Sequence, residues 1–317
     1  MSTIIPHLDS SKGHFPESSN GCQAGRADVG LIGVGLMGAA LARQLSIGGM
    51  KVLGYDVDVA RCSSLLSLNS KPAGSSSEVF SKCDRIMLSL PNSEVVREVL
   101  DNVKNQIRPG QIIIDGTTGV PAEVMAIGKK MAARGVEYMD ATIAGSSAEV
   151  GTAQSVVLAG GTENAFNSCI DLFKLFSRKA FYLGPCGSGS IMKLVVNLVL
   201  GINRAALAEG LAFAKAVGMD PAVALGVLKE SAAYSKVMDG KGGKMLAGDF
   251  APQARLSQHL KDVRIILSEA QIAGMQLPLS TVHRDLLEMV ENAGLGQLDN
   301  SAIIRVFDLL CNGKDQT

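Results

Sequence analysis

The chain has 317 residues, 47% hydrophobic and 19% charged, which suits a globular protein long enough for two domains with separate cores. Thirty basic and thirty acidic residues cancel, so neither nucleic acid nor an anionic membrane is indicated as an electrostatic partner. Aromatics make up 4% and tryptophan is absent, too few for the stacking platforms that grip single strands.

Residues 1–26 are rich in Ser, Gly, Pro and His and lack the charged start and apolar centre of a secretory signal. They read as a disordered tail. Asp9, Glu17 and the paucity of arginine argue against a targeting peptide. Six cysteines (Cys22, Cys62, Cys83, Cys169, Cys186, Cys311) include no C-x-x-C pair, and four histidines (His7, His14, His259, His283) are dispersed. Reduced thiols in a cytoplasmic protein and no metal site are expected. The longest apolar stretch, 194–202, is interrupted by Asn197 and Gly201 and is too short to cross a bilayer, so no membrane span is expected.

Residues 27–186 alternate short β runs with helical patterns. The runs are 29–32, 52–55, 85–90, 112–114, 136–139, 155–158 and 180–183; helices are expected at 36–47, 121–133 and 163–176. This alternation predicts βαβ units around a parallel sheet buried on both faces. From 187 to 317 no convincing strand appears. One long helix is predicted at 191–217, capped by Gly218, with others at 221–231 (opened by Pro221), 254–272, 279–293 and 301–310, and a loop at 239–243. The expected architecture is an α/β Rossmann-type N-terminal domain followed by an all-α C-terminal domain.

Gly33, Gly35 and Gly38 form G-x-G-x-x-G between the first strand and the first helix. The first glycine permits a tight turn, the second lets backbone approach a pyrophosphate, and the third lets helix and strand pack closely. The backbone of Leu36 and Met37 opens the helix whose N–H groups meet the phosphate charge. Asp56 ends the second strand 23 residues after Gly33, where a carboxylate accepts from ribose hydroxyls and repels a 2′-phosphate. NAD is therefore favoured over NADP, with Arg61 near enough to soften the preference. Two further strand-end loops, Leu90-Pro91-Asn92 and Asp115-Gly116-Thr117-Thr118, lie where ligands gather in such sheets. Asn92 and Thr118 are candidates for the nicotinamide ribose pocket; ordinary turn and N-cap duties explain them equally well.

Gly184, Gly187 and Gly189 lead into Lys193, and Asn197 follows one helical turn later on the same face. A lysine in the first turn of a helix with few charges is expected to have a lowered pKa and to serve acid–base chemistry, with Asn197 holding it or a substrate oxygen. A snorkelling lysine beside a satisfied asparagine is the other reading.

At this point the chain, over 27–311, resembles the β-hydroxyacid dehydrogenases. The glycine fingerprint, the block Asp115 to Thr118 with Pro121, the stretch 140–161, the turn 184–197, and Phe250 with Lys261 and Asp262 carry the resemblance in order. It implies that Lys193 is the catalytic lysine, Asn197 its helper in substrate binding, Thr118 a residue near the nicotinamide and Lys261 one that reaches the cofactor. It also implies a homodimer or homotetramer built through the helical domain.

One block departs from the pattern. The family's Asp-Ala-Pro-Val-Ser-Gly-Gly reads here Asp140, Ala141, Thr142, Ile143, Ala144, Gly145, Ser146. The serine that binds the substrate carboxylate is Ala144. Thr142, Gly145, Ser146 and Ser147 are the candidate substrate contacts that remain, through backbone amides or hydroxyls. Either the acid end is held differently, or it is another group such as a sulfonate, or the serines merely cap the next segment.

The expected function is hydride transfer between NAD and a small β-hydroxyacid, 3-hydroxyisobutyrate-like, or its semialdehyde. The alternatives are an NADPH-dependent reductase of glyoxylate- or succinic semialdehyde-type aldehydes, and a non-catalytic dinucleotide-binding module.

Overall fold

The computed structural model describes residues 27–66 and 70–312; the expected disordered tail lies outside the described residues. The chain divides into two compact units, with the division between Ser190 and Ile191.

The first unit runs β1 (Val29–Ile32), α1 (Leu36–Ile47), β2 (Val52–Tyr55), α2 (Val59–Cys62), β3 (Ser70–Pro72), α3 (Ser76–Lys82), β4 (Arg85–Leu88), α4 (Ser93–Asn102), β5 (Ile112–Asp115) and α5 (Pro121–Ala132). It continues with β6 (Glu137–Ala144), α6 (Ser147–Gly151), β7 (Ser155–Gly160), α7 (Glu163–Asn167), α8 (Ile170–Phe176) and β8 (Ser177–Tyr182). The eight strands form one sheet in the order 3-2-1-4-5-6-7-8. All neighbours pair in parallel except β6 and β7, which run antiparallel from Asp140↔Gly160 to Ala144↔Val156.

That reversal corrects the expectation of a wholly parallel sheet. The connection from β6 to β7 holds only the five-residue α6, shorter than the crossover that a parallel return demands. The single helix expected at 163–176 is two, broken at Ser168-Cys169, where Cys169 leaves helical geometry (φ −120°, ψ 2°).

Alternate residues of one strand face opposite ways. Val29 and Leu31 of β1 join an apolar cluster that includes Leu41, Leu172 and Phe173, whereas Ile32 joins Val79, Phe80, Val96 and Val124 on the other face. Both faces are covered, which explains strands that read as continuous apolar runs. The chain order reverses between β1 and β4, and loops at the carboxyl ends of β1, β2, β4, β5 and β6 share one edge of the sheet, where open α/β sheets bind ligands.

The long helix α9 (Ser188–Ala216) opens in the first unit and continues through the second. Then come α10 (Pro221–Glu230), α11 (Gly243–Ala247), α12 (Leu256–Ile272), α13 (Pro278–Val290) and α14 (Arg305–Asn312). Leu207 and Leu211 of α9, Leu256, Leu260 and Val263 of α12, and Leu287 of α13 share the helical core. The loop expected at 239–243 is instead a wide helical turn, Met238–Gly242, with Lys241 buried.

Helix α9 is long and apolar enough to cross a membrane by length and composition, with a mean hydropathy of 1.6 over its most apolar window. The sequence expectation of no membrane span counted only the stretch 194–202, interrupted at Asn197 and Gly201. Asn197, like the charged Lys193 and Arg204 of the same helix, is buried in the fold.

Candidate active site

In the first unit the glycine loop forms a cradle. Gly33 adopts φ +93°, and a Cβ there would lie 2.3 Å from Ser89 O. A Cβ on Gly38 would lie 1.9 Å from Gly33 O, so strand and helix meet at backbone distance. Gly35 is different: a Cβ would find only Arg61 Nη1, at 3.9 Å. It faces open space at the N-terminus of α1, which has no side-chain cap and no acidic residue in its first turn. The first amides of a helix lack intrahelical partners and attract anions. The loop therefore fits a dinucleotide pyrophosphate, with the amides of Gly35, Leu36, Met37 and Gly38 as donors.

Asp56 is buried at the end of β2. Its Oδ2 accepts from Val34 N–H at 2.8 Å and its Oδ1 from Asp58 N–H at 2.9 Å, while Arg61 Nη1 lies 3.7 Å from Oδ2. The carboxylate thus ties the glycine loop to β2 and retains acceptor capacity, since a carboxylate has about four lone-pair sites. In the next two loops, Leu90 N–H donates to Thr117 Oγ1 at 3.2 Å and Asn92 Oδ1 caps α4 through Val95 N–H at 2.9 Å. Asp115 Oδ1 accepts from Thr117 N–H at 2.9 Å, and Tyr138 O–H donates to Asp115 Oδ2. Burial pushes the Asp115 carboxyl and the Tyr138 phenol upward. Thr118 is half-buried in the same loop.

At the end of β6, Ser146 caps α6 in a reciprocal box: Glu149 N–H donates to Ser146 Oγ at 3.4 Å, and Ser146 N–H to Glu149 Oε2 at 2.9 Å. Of the two amides expected to meet an anion, that of Ser146 is already held by a carboxylate. Gly145 precedes it at φ +150°, and Ser147 opens α6. Thr142 is fully buried and donates to Gly189 O at 3.2 Å.

Asp140 was not singled out as a site residue from the sequence. Its Oδ1 accepts from Gly187 N–H and its Oδ2 from Ser190 N–H, each at 2.7 Å. Burial raises its carboxyl to about 6. Gly160 and Gly189 pack so closely that a Cβ on either would fall within 3.0 Å of this aspartate.

In the second unit, Lys193 is 9% exposed on α9. One turn on, Asn197 Nδ2 donates to Asp262 Oδ2 of α12 at 2.8 Å. Lys261 Nζ lies 3.0 Å from Asp262 Oδ1. Desolvation raises the Asp262 carboxyl against the charges of Lys261 and Lys193. Further along the same face, Gly201 abuts two imidazoles: a Cβ there would lie 2.6 Å from both His259 Nε2 and His283 Cε1. Burial, reinforced by Arg204, pushes His259 well below its usual range and His283 down to about 4. Arg204 is itself buried and lowered to about 10 by desolvation. His259, His283 and Arg204 carried no sequence signal beyond the spacing of Gly201 and Arg204 from Lys193. Among the described residues no cluster of His, Cys, Asp or Glu could hold a metal ion.

Residues 28–184 match the family described as the NAD binding domain of 6-phosphogluconate dehydrogenase. Residues 187–307 match the one described as NAD-binding of NADP-dependent 3-hydroxyisobutyrate dehydrogenase. The chain belongs to the NAD(P)-dependent β-hydroxyacid dehydrogenase family. It is 28% identical to L-threonate dehydrogenase of Cupriavidus necator, covering 88% of this chain and 96% of that one. It is 28% identical to glyoxylate/succinic semialdehyde reductase 1 of Arabidopsis thaliana, covering 87% and 97%. The crystal structure of 3-hydroxyisobutyrate dehydrogenase from Salmonella typhimurium superposes with a TM-score of 0.82 at 26% identity, covering 88% and 99%. The Gly33 loop lies inside the stretch that matches the NAD binding domain.

Proposed function

We propose that the chain transfers hydride between NAD and a small β-hydroxyacid, 3-hydroxyisobutyrate-like, or its semialdehyde, with Lys193 as acid and base. The observation that carries this reading is a buried lysine one helical turn before an asparagine whose amide is fixed by Asp262. When bound, the nicotinamide supplies or accepts the hydride. In reduction, Lys193 gives its Nζ proton to the carbonyl oxygen; in oxidation, the neutral amine takes the hydroxyl proton. Asn197, its Nδ2 committed to Asp262, presents Oδ1 as an acceptor to the substrate hydroxyl or to the lysine.

Gly33, Gly35, Leu36, Met37 and Gly38 hold the pyrophosphate, and Asp56 the adenosine ribose. Leu90, Pro91, Asn92 and Thr118 border the rest of the cofactor, and Lys261 is assigned to cofactor binding as well. Gly145, Ser146 and Ser147 form the turn nearest the substrate's acid end. Steady-state rates with racemic 3-hydroxyisobutyrate and NAD, against Lys193→Ala, test the reading; near-normal turnover in the variant would sink it.

A second reading is an NADPH-linked reductase of glyoxylate or succinic semialdehyde. Arg61, 3.7 Å from Asp56 Oδ2, favours it, because a guanidinium beside that carboxylate offers a partner for a 2′-phosphate. Equal kcat/KM with NADH and NADPH would decide for it.

A homodimer or homotetramer built through the helical unit is supported by exposed apolar side chains there, among them Val199, Phe213, Val217, Val223, Val227 and Val282. Light scattering giving a monomer mass at micromolar concentration would exclude it.

A further inference from the structure

We propose that Asp140 is a positioning residue for the reaction: its carboxylate, shared between the amides of Gly187 and Ser190, fixes the first turn of α9 and so the direction in which Lys193 projects. The proposal rests on the acid–base role given to Lys193 above.

Ser190 is the third residue of α9, so its N–H is one of the helix's orphan donors. Helices usually satisfy such donors with a side chain at their own N-cap. Here the acceptor comes from a β-strand 50 residues earlier, and the same group also holds Gly187 on the other side of the turn. A carboxylate at this end also complements the helix dipole. Lys193 follows Ser190 by three residues, so a change in the phase of the first turn is a change in the lysine's direction.

Both bonds need the ionised form. A carboxylate accepts at both oxygens, whereas in a carboxylic acid one oxygen bears a proton. Protonation therefore breaks the double clamp, and Asp140 sits at about 6. The ionisable groups against it are Asp115 on β5, its partner in register, Tyr138 on β6, and the Cys186 thiol in the turn. Cys186 is held up at about 12 by burial and by Asp140 itself, and Tyr138 is held high. Asp115 accepts from Thr117 N–H in its own loop and from Tyr138 O–H on β6.

The test is the pH dependence of kcat between pH 5 and 9, using the full chain with NAD and racemic 3-hydroxyisobutyrate, and with NADH and succinic semialdehyde. The wild type should lose turnover on an acid limb near 6. Asp140→Asn keeps one acceptor oxygen and cannot titrate. It should lower kcat roughly ten-fold or more with no limb near 6, and leave NAD affinity within about three-fold, because the glycine cradle lies elsewhere. Ser190→Pro deletes the donor N–H at a position where a first turn tolerates proline, and serves if Asp140→Asn does not fold. Losing that hydrogen bond weakens the ionised form, so its acid limb should move above 6. Asp115→Asn should leave the limb in place.

Amide hydrogen exchange at Gly187 and Ser190, faster in Asp140→Asn than in wild type, gives a readout independent of turnover. An unchanged acid limb in Asp140→Asn or Ser190→Pro, or unchanged exchange at both amides, overturns the proposal. If Lys193→Ala retained turnover while exchange at Ser190 rose in Asp140→Asn, the acid–base reading would fall and the clamp would stand as a structural device only.

Discussion

Asn197 donates to Asp262 across 2.8 Å, joining α9 to α12 inside the helical unit. The pair fixes Nδ2 as the end of the carboxamide that faces α12. Replacing Asp262 with alanine should free the amide to rotate and leave a buried donor unpaired, at about 1–3 kcal/mol. The expected result is a KM for the hydroxyacid raised by roughly ten-fold, with NAD affinity little changed. A KM unmoved in a folded Asp262→Ala protein would remove Asn197 from the substrate site.

The three glycines of the cradle should fail in different ways. Gly38→Ala places a Cβ 1.9 Å from Gly33 O, so the loop must deform and the first unit should lose stability. Gly35→Ala has only Arg61 Nη1 within reach, at 3.9 Å, so the fold should hold. What it obstructs is backbone approach to the pyrophosphate. Thermal melts and NAD titrations should show a normal Tm with weakened binding for Gly35→Ala, and a lowered Tm for Gly38→Ala.

Replacing Lys193 with methionine keeps its length and apolar stem but removes the proton. General acid–base catalysis is worth about 10²- to 10⁴-fold, so kcat should fall by that order. Cofactor affinity, measured by calorimetry, should change little.

Gly201→Ala tests packing. An exposed helical alanine would stabilise by about 1 kcal/mol over glycine. Here the methyl would lie 2.6 Å from both His259 Nε2 and His283 Cε1. Overpacking should win, lowering stability by about 1–3 kcal/mol. A raised Tm would show that the two imidazoles yield freely.

The buried pair Lys241–Asp299, at 2.8 Å, should govern acid stability of the helical unit. Burial alone would raise the Asp299 carboxyl, but the hydrogen bond and charge of Lys241, helped by the Gln253 amide and Ser301, hold it at about 2. A carboxyl depressed in the folded state stabilises above its unfolded value and loses that contribution as pH falls toward 2. Helical circular dichroism should therefore decline from about pH 4 downward. Lys241→Met should cost about 3–5 kcal/mol at neutral pH by stranding a buried charge.

Periodicity and glycine spacing made most of this fold legible. The strands at 29–32 and 52–55 and the helix at 36–47 stand in the structure with those bounds, because β1 and β2 are apolar on both faces and α1 is bracketed by glycines. β3 escaped notice because Ser70–Pro72 has no apolar pattern; β2 alone holds it at the sheet edge. The antiparallel turn at β7 escaped because alternation of strand and helix does not encode direction. The helical signal at 238–242 was hidden by three glycines within 239–243.

Around the site, candidate residues could be picked from the sequence by type and spacing. Contacts made between distant backbone and side-chain groups could not. Asp140 lies 47 and 50 residues from its two donors, and nothing in local sequence links them. His259 and His283 read as dispersed because only the packing of α12 and α13 brings their rings to 5.2 Å. The serine expected to greet an anion had a bland reading beside it, the cap, and Ser146 is seen in that role.

The glycines crowded around Asp140 bear on how this chain tolerates change. A side chain at Gly160 would run into Pro185 O, Asp140 Oδ1 and Gly189 N, all within 2.8 Å; one at Gly189 would meet Leu158 O at 2.4 Å; one at Gly187 would meet Met125 Cγ at 2.6 Å. Gly160 of β7 and the neighbouring Gly187 and Gly189 are thus each closed to a side chain. In a library of single replacements they would form an intolerant island, while Cys311 and Ile272, exposed at the surface, drift freely.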